Sequence, residues 1–118
     1  MSRLARVEHE PIPPGTLDML ILKTLAAPRR ELHGFEIADA IQRGSRDVLQ
    51  VEEGSLYPAL QRMLIKGWIE GEWSRTPENR RARYYRLTPA GKRQLEREIA
   101  SYQRVAHAIA LIMQPTPA

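Results

Sequence analysis

The sequence predicts a mainly α-helical fold with one small β-hairpin, and three stretches carry that prediction. The first covers residues 51–63. There Leu56, Leu60, Met63 and, just beyond, Leu64 recur at helical spacing and form one apolar stripe. Ser55, Tyr57, Gln61, Arg62 and Lys66 fall off the stripe, so the helix has one side to pack and another to present. The second stretch covers residues 68–87. Trp68-Ile69-Glu70-Gly71-Glu72-Trp73 alternates bulky and polar residues like a half-exposed strand. Thr76-Pro77-Glu78-Asn79 has turn chemistry, and Tyr84-Tyr85-Arg86-Leu87 returns as a second strand. In the third, Leu95, Ile99, Tyr102, Ala106, Ile109 and Met113 step by four, three, four, three and four, which is a heptad seam. Helix, hairpin and long helix follow one another as in a winged helix-turn-helix with a C-terminal dimerisation helix.

The chain in order supports this division. Residues 1–14 read as a flexible arm, because Pro11, Pro13 and Pro14 block helix and the charged residues before them have little to bury. Leu4 and Ile12 offer points where the arm could dock, and Arg3 and Arg6 are conceivable minor-groove contacts. The winged-helix domain is expected at residues 15–87. Thr16 is its first N-cap, and Leu17, Leu20, Ile21, Thr24 and Leu25 form a helical stripe that Pro28 ends. A second helix opens at His33, with Phe35, Ala38 and Ile41 on one face and Ile37 beside them, and Gly44-Ser45 closes it. A lone His at a helix start is better explained by a local hydrogen bond or a phosphate than by a metal, since no second His stands at ligand spacing. Pro58 is tolerable if the third helix begins near Glu53, and Gly67 is the expected left-handed cap at its end. Thr88-Pro89 supplies an N-cap and first residue for the last helix, expected at residues 88–114, before a tail at 115–118.

Composition narrows the chemistry. A chain of 118 residues is one small domain, and its net charge is +4. The charge is uneven. Residues 74–97 hold eight basic side chains against Glu78 and Glu96, so this region alone exceeds the surplus of the whole chain. A local basic field suits a polyanion, although a solvated face is the plainer reading of charge alone. The chain has no cysteine, which excludes a disulfide framework and a thiolate metal site or nucleophile. No signal peptide and no apolar run near the ~20 residues of a membrane span are visible, so a cytoplasmic protein is expected.

These features converge on double-stranded DNA. A helix with an apolar side and exposed Ser55, Tyr57, Pro58, Gln61, Arg62 and Lys66 suits a major groove. Arg62 and Lys66 lie far along it and suit phosphates better than bases. Arg80, Arg81 and Arg83 on the hairpin suit the backbone or the minor groove. Tyr57 has a second reading as a packing partner of Pro58. Trp68 and Trp73 are better read as hairpin core than as the floor of an aromatic pocket. Tyr84 and Tyr85 point to opposite faces of their strand, so at most one is core. Tyr102 and His107 either fill the seam or line an effector cavity. The seam itself either joins two copies or folds back on its own domain; a dimer agrees with a palindromic operator.

The segments Gly15-Thr16-Leu17-Asp18-Met19-Leu20-Ile21-Leu22, His33-Gly34-Phe35-Glu36-Ile37, Val51-Glu52-Glu53-Gly54-Ser55-Leu56-Tyr57-Pro58-Ala59-Leu60, Gly67-Trp68-Ile69 and Arg83-Tyr84-Tyr85-Arg86-Leu87-Thr88-Pro89-Ala90-Gly91 resemble, in order, those of PadR-family transcriptional regulators. The resemblance runs from about Gly15 to Gln114. It implies a winged helix, one C-terminal dimerisation helix as in the short subfamily, and usually repression of transcription. It places Ser55 and Tyr57 among DNA-contacting residues and the hairpin arginines among phosphate contacts. It also implies, as for many members of the family, a small aromatic or drug-like effector at the dimer interface. No cofactor is expected. Phe35 departs from the pattern, where Tyr is common, and lacks the hydroxyl. A protein-interaction module without DNA binding is the competing function. An enzyme is disfavoured, because no phosphate loop, metal-ligand cluster or nucleophile–base spacing occurs.

Overall fold

The computed structural model describes residues 8–116. The elements are α1 (Leu17–Thr24), β1 (Leu32–His33), α2 (Gly34–Gly44), α3 (Glu53–Ile65), β2 (Ile69–Arg75), β3 (Arg81–Leu87) and α4 (Pro89–Ile112). The fold is mainly helical, as expected, but the hairpin is part of a three-stranded antiparallel sheet in the order β1-β3-β2. The two-residue strand β1 pairs Leu32 with Tyr85 and His33 with Tyr84.

One core joins these elements. Ile21, Leu22 and Leu25 from α1, Ile37 and Ile41 from α2, and Leu56, Leu60 and Met63 from α3 are buried together. Ile69, Tyr85 and Leu95 extend the core into the sheet and α4. Each fully buried large side chain contributes about 1.5–3 kcal/mol relative to exposure, so the α3 stripe read from sequence anchors that helix from one side only. Phe35 does not join the core. Gly34, Ile37 and Ile41 make the buried stripe of α2, and Phe35 is 74% exposed.

Local signals act as expected at most helix ends, with three corrections. Thr16 occupies the α1 N-cap position without capping; its hydroxyl donates to the Pro13 carbonyl instead (2.7 Å). The helix then ends at Thr24, before Pro28 is reached. Helix α3 starts at Glu53, yet Pro58 is its sixth residue, so the first-turn argument does not cover it. The carbonyl that loses a donor belongs to Gly54, which is exposed and can be met by water. At the other end the chain closes α3 with paired bonds, from Gly67 N–H to the Leu64 carbonyl (3.1 Å) and from Trp68 N–H to the Met63 carbonyl (3.0 Å). Gly67 takes φ +74° there, which a side chain would resist.

Helix α4 is fastened to the base of the hairpin. The Thr88 hydroxyl accepts from Gly91 N–H (3.0 Å) and donates to the Gly67 carbonyl (2.6 Å), while Thr88 N–H donates to the Trp68 carbonyl (3.1 Å). Gly91 lies so close to Trp68 that a Cβ would collide with the Trp68 carbonyl oxygen and with Leu87. Before α1, Glu10 N–H donates to the Val48 carbonyl (2.7 Å), and Glu10 bridges Leu49. The described part of the arm is therefore tied to the α2–α3 connection, with Ile12 half-buried. Leu4, Arg3 and Arg6 lie outside the described residues. No described helix is long and apolar enough to cross a membrane.

Candidate nucleic-acid interface

Helix α3 presents its polar residues on two flanks and an outward line. At roughly 100° per residue, Pro58, Gln61 and Ile65 point away from the buried stripe. Ile65 is 84% exposed. Ser55 and Arg62 lie on the flank toward α1, where Arg62 reaches Asp18 (2.9 Å). A partly exposed pair of this kind contributes about 1 kcal/mol or less. The Lys66 ammonium stands 4.7 Å from the centre of the Trp68 ring. Both cations expected at phosphates thus already have partners within the protein.

The opposite flank of α3 faces the wing. Tyr57 and Gln61 line an open cleft of about 650 Å³ with Trp73, Arg80, Arg81 and Arg83. The N-terminus of α2 completes it through His33, Gly34 and Phe35. Five of the residues expected from sequence are therefore brought together here, while Ser55, Pro58, Arg62 and Lys66 are not among its walls. Tyr57 is 45% exposed, with its ring edge on Gly34. It both packs and presents a hydroxyl.

Strand register explains why the wing is basic on this side. Trp73 pairs with Arg83, and Arg75 pairs with Arg81, so alternation puts these four on one sheet face with buried Tyr85. Each arginine is held differently. Arg81 stacks on Trp73 (4.5 Å), Arg75 donates to the Asn79 carbonyl (3.1 Å), and Arg83 lies across Gly71. Arg80 follows the turn, where Asn79 adopts φ +65° and Arg80 N–H donates to the Thr76 hydroxyl (3.1 Å). Arg86, on the other face, is hydrogen-bonded by Glu70 and flanked by Glu31, which hold its guanidinium still further above its ordinary range. Burial pushes the Tyr85 phenol up, against the pull of the Arg83 charge, so Tyr85 stays neutral.

His33 is a structural cap. Its Nδ1 accepts from Glu36 N–H (3.4 Å), and the Glu36 carboxylate accepts from His33 N–H (3.1 Å), a reciprocal capping box at the start of α2. Its ring meets Tyr84 edge-on (5.3 Å). Among the described residues, no group of three or more His, Asp or Glu is placed to hold a metal.

Trp73 departs from its expected place in the hairpin core. It is 54% exposed and carries Arg81, whereas Trp68 packs against the core. Phe35 and Ile65 are exposed beside the interface residues without being predicted among them. Ile65 is legible in the sequence, since it follows Pro58 by seven residues and Gln61 by four. The seam of α4 also divides. Leu95 is buried in the protomer's own core and Ile99 packs against it, so the seam is not available along its whole length to a second copy. Beyond them Tyr102, Val105, Ile109 and Met113 are at least half exposed. The first part of α4 thus packs on its own domain, and only the part from Tyr102 onward stands clear of it.

A helix-turn-helix followed by a basic wing defines a winged-helix protein of the DNA-binding kind. The Transcriptional regulator PadR-like family model matches residues 21–97. The protein belongs to the PadR-like family of transcriptional regulators. It is 34% identical over 83 residues to Transcriptional regulator Rv3488 of Mycobacterium tuberculosis, covering 70% of this chain and 74% of that one. The crystal structure of a PadR-like transcriptional regulator from Bacillus cereus superposes with a TM-score of 0.70 at 28% identity, over 86% of this chain and 95% of that one. Bacillus subtilis PadR, crystallised with operator DNA, shares the fold with a TM-score of 0.60 at 20% identity, over 90% of this chain and 51% of that one.

Proposed function

We propose that the protein is a homodimeric repressor that binds a palindromic operator and is released by a small aromatic effector. Residues 15–87 form its DNA-binding domain and residues 88–114 its dimerisation helix, and it acts on DNA in the cytoplasm. The observation that carries the DNA reading is the cleft that sets Tyr57 and Gln61 of α3 opposite Arg80, Arg81 and Arg83 of the wing. With α3 in the major groove, through Ser55, Tyr57, Pro58 and Gln61, one sugar-phosphate strand crosses this cleft and the wing meets it from the far side. Arg62 and Lys66 reach flanking phosphates by exchanging their internal partners. Tyr102, Ala106, Ile109 and Met113 of α4 face a second copy, and a dimer spaces two α3 helices one DNA turn apart, about 34 Å. The paired helices supply apolar walls for the effector.

The first test is binding to the duplex upstream of the protein's own gene against a scrambled duplex, across a salt series. Tight, salt-dependent preference for the upstream site supports the reading. Absence of binding at low salt favours a protein-interaction module.

Two variants resolve the roles. Arg80→Ala with Arg81→Ala is expected to weaken binding to every sequence. The proposed dimer loses four arginines, so the slope of log K against log salt should flatten by roughly 3.6, near 0.9 for each phosphate no longer neutralised. An unchanged slope removes the tip arginines from the interface. Tyr57→Ala is expected to cost about 1–3 kcal/mol of discrimination between operator and random DNA. Equal loss on both duplexes, in parallel titrations, would make Tyr57 a packing residue against Gly34.

A further inference from the structure

Gly71 stands in the middle of β2, where the absence of a side chain ordinarily weakens a strand. It pairs with Tyr85, on the same sheet face as Arg83. The Arg83 side chain leans along the sheet and lies directly on Gly71. A Cβ at Gly71 would stand 2.5 Å from Nε and 3.2 Å from both Cδ and Cζ of Arg83. No side chain fits there without displacing the arginine.

Arg83 also differs from Arg75, Arg81 and Arg86 in how its donors are answered. Arg86 has two carboxylates, Arg75 has a carbonyl, and Arg81 has the Trp73 ring. Arg83 Nε is buried and has no hydrogen-bond partner, and Arg83 forms none of the ion pairs found among the described residues. The side chain lines the same cleft as Tyr57 and Gln61. The terminal Nη groups of Arg83 make no hydrogen bond among the described residues either, and that end of a guanidinium is shaped to give two parallel hydrogen bonds to one tetrahedral anion.

We infer that Gly71 is a positioning residue for DNA: its missing Cβ seats Arg83 across the wing, so that the guanidinium grips one phosphodiester of the strand that crosses the cleft. This rests on the DNA reading proposed above. The tip arginines then act as exchangeable charges, and Arg83 acts as the oriented contact.

The test compares wild type, Gly71→Ala, Arg83→Ala, Arg83→Lys and the Gly71→Ala/Arg83→Ala double variant as intact proteins. Binding to the upstream duplex is titrated across salt, and thermal melting is recorded in parallel. Alanine suits a strand better than glycine, so Gly71→Ala should melt no lower than wild type. It should nevertheless bind about tenfold more weakly, with a salt slope shallower by roughly 1.8 for one lost phosphate contact in each protomer, although no charge has been removed. Arg83→Lys should lose a similar factor, because an ammonium cannot make the two-pronged contact. In the Arg83→Ala background, Gly71→Ala should cost nothing further. Full affinity in either Gly71→Ala or Arg83→Lys would overturn the inference, as would a further loss in the double variant. Wild type that binds no DNA in a salt-dependent way would overturn the DNA reading itself, and the inference with it; intact wild-type binding separates the two failures.

Discussion

Gly91→Ala is expected to lower the melting temperature by roughly 10 °C. The substitution would ordinarily help a helix by about 1 kcal/mol. Here the new methyl meets the backbone carbonyl of Trp68 and the Leu87 side chain at the same time. A side chain can rotate away from a clash, but the Trp68 carbonyl is held by its bond from Thr88 N–H (3.1 Å). Overpacking against a fixed neighbour costs about 1–3 kcal/mol and at times more. We expect a net loss of about 2 kcal/mol, which corresponds to that temperature change for a domain of this size. Gly54→Ala is the control, because nothing lies within 4 Å of its Cβ position. It should melt at or slightly above wild type. Gly91→Ala melting with Gly54→Ala in calorimetry would show that α4 can shift away from the wing.

Ile109→Asp is expected to abolish the proposed dimer at micromolar protein while leaving each protomer folded. Ile109 is 54% exposed in the single chain and lies in α4 past the last residues packed on the core, so its loss leaves the core intact. In a two-fold dimer the change occurs twice. Removing two apolar side chains from the interface forfeits on the order of 3–6 kcal/mol, and two carboxylates brought together repel as well. The dissociation constant should therefore rise by at least a hundredfold. Sedimentation should show a monomer, and affinity for a full palindrome should fall to that for a half-site. Ile99→Asp would not separate these effects, because Ile99 packs against the protomer's own core. An Ile109→Asp protein that sediments as a dimer would mean that the seam faces something else.

The parts of the fold that are legible in the sequence are those set by local rules. The α3 stripe, the Gly67 cap, the Thr88-Pro89 start and the turn at Thr76 to Asn79 each depend on residues within one helical turn or one hairpin. What escapes a sequence reading depends on pairings distant in the chain. Two residues are too few to show a strand period, so β1 is visible only through its bonds to Tyr84 and Tyr85. Phe35 reads as part of the buried face of α2 because an aromatic residue at helical spacing resembles core; the narrow Gly34–Ile37–Ile41 stripe leaves it outside. Gly91 reads as a weak point of a helix, and only the approach of Trp68 gives it a purpose. The arginines are recognisable as a basic region, but their division into paired, stacked and unanswered members follows from strand register and side-chain direction.

Strand β1 has a consequence for which DNA sequences suit this protein. Its second residue, His33, is bonded into the sheet opposite Tyr84 and is also the N-cap of α2. One residue thus belongs to both the wing sheet and the helical body, leaving no slack between them. A wing tied to α2 at its base has less freedom to adjust its groove-to-wing distance to the duplex. The adjustment passes to the DNA, whose groove width and ease of bending depend on steps the protein never touches. In the proposed dimer, selectivity then extends to the uncontacted base pairs between the half-sites. Their stiffness becomes part of the recognised signal.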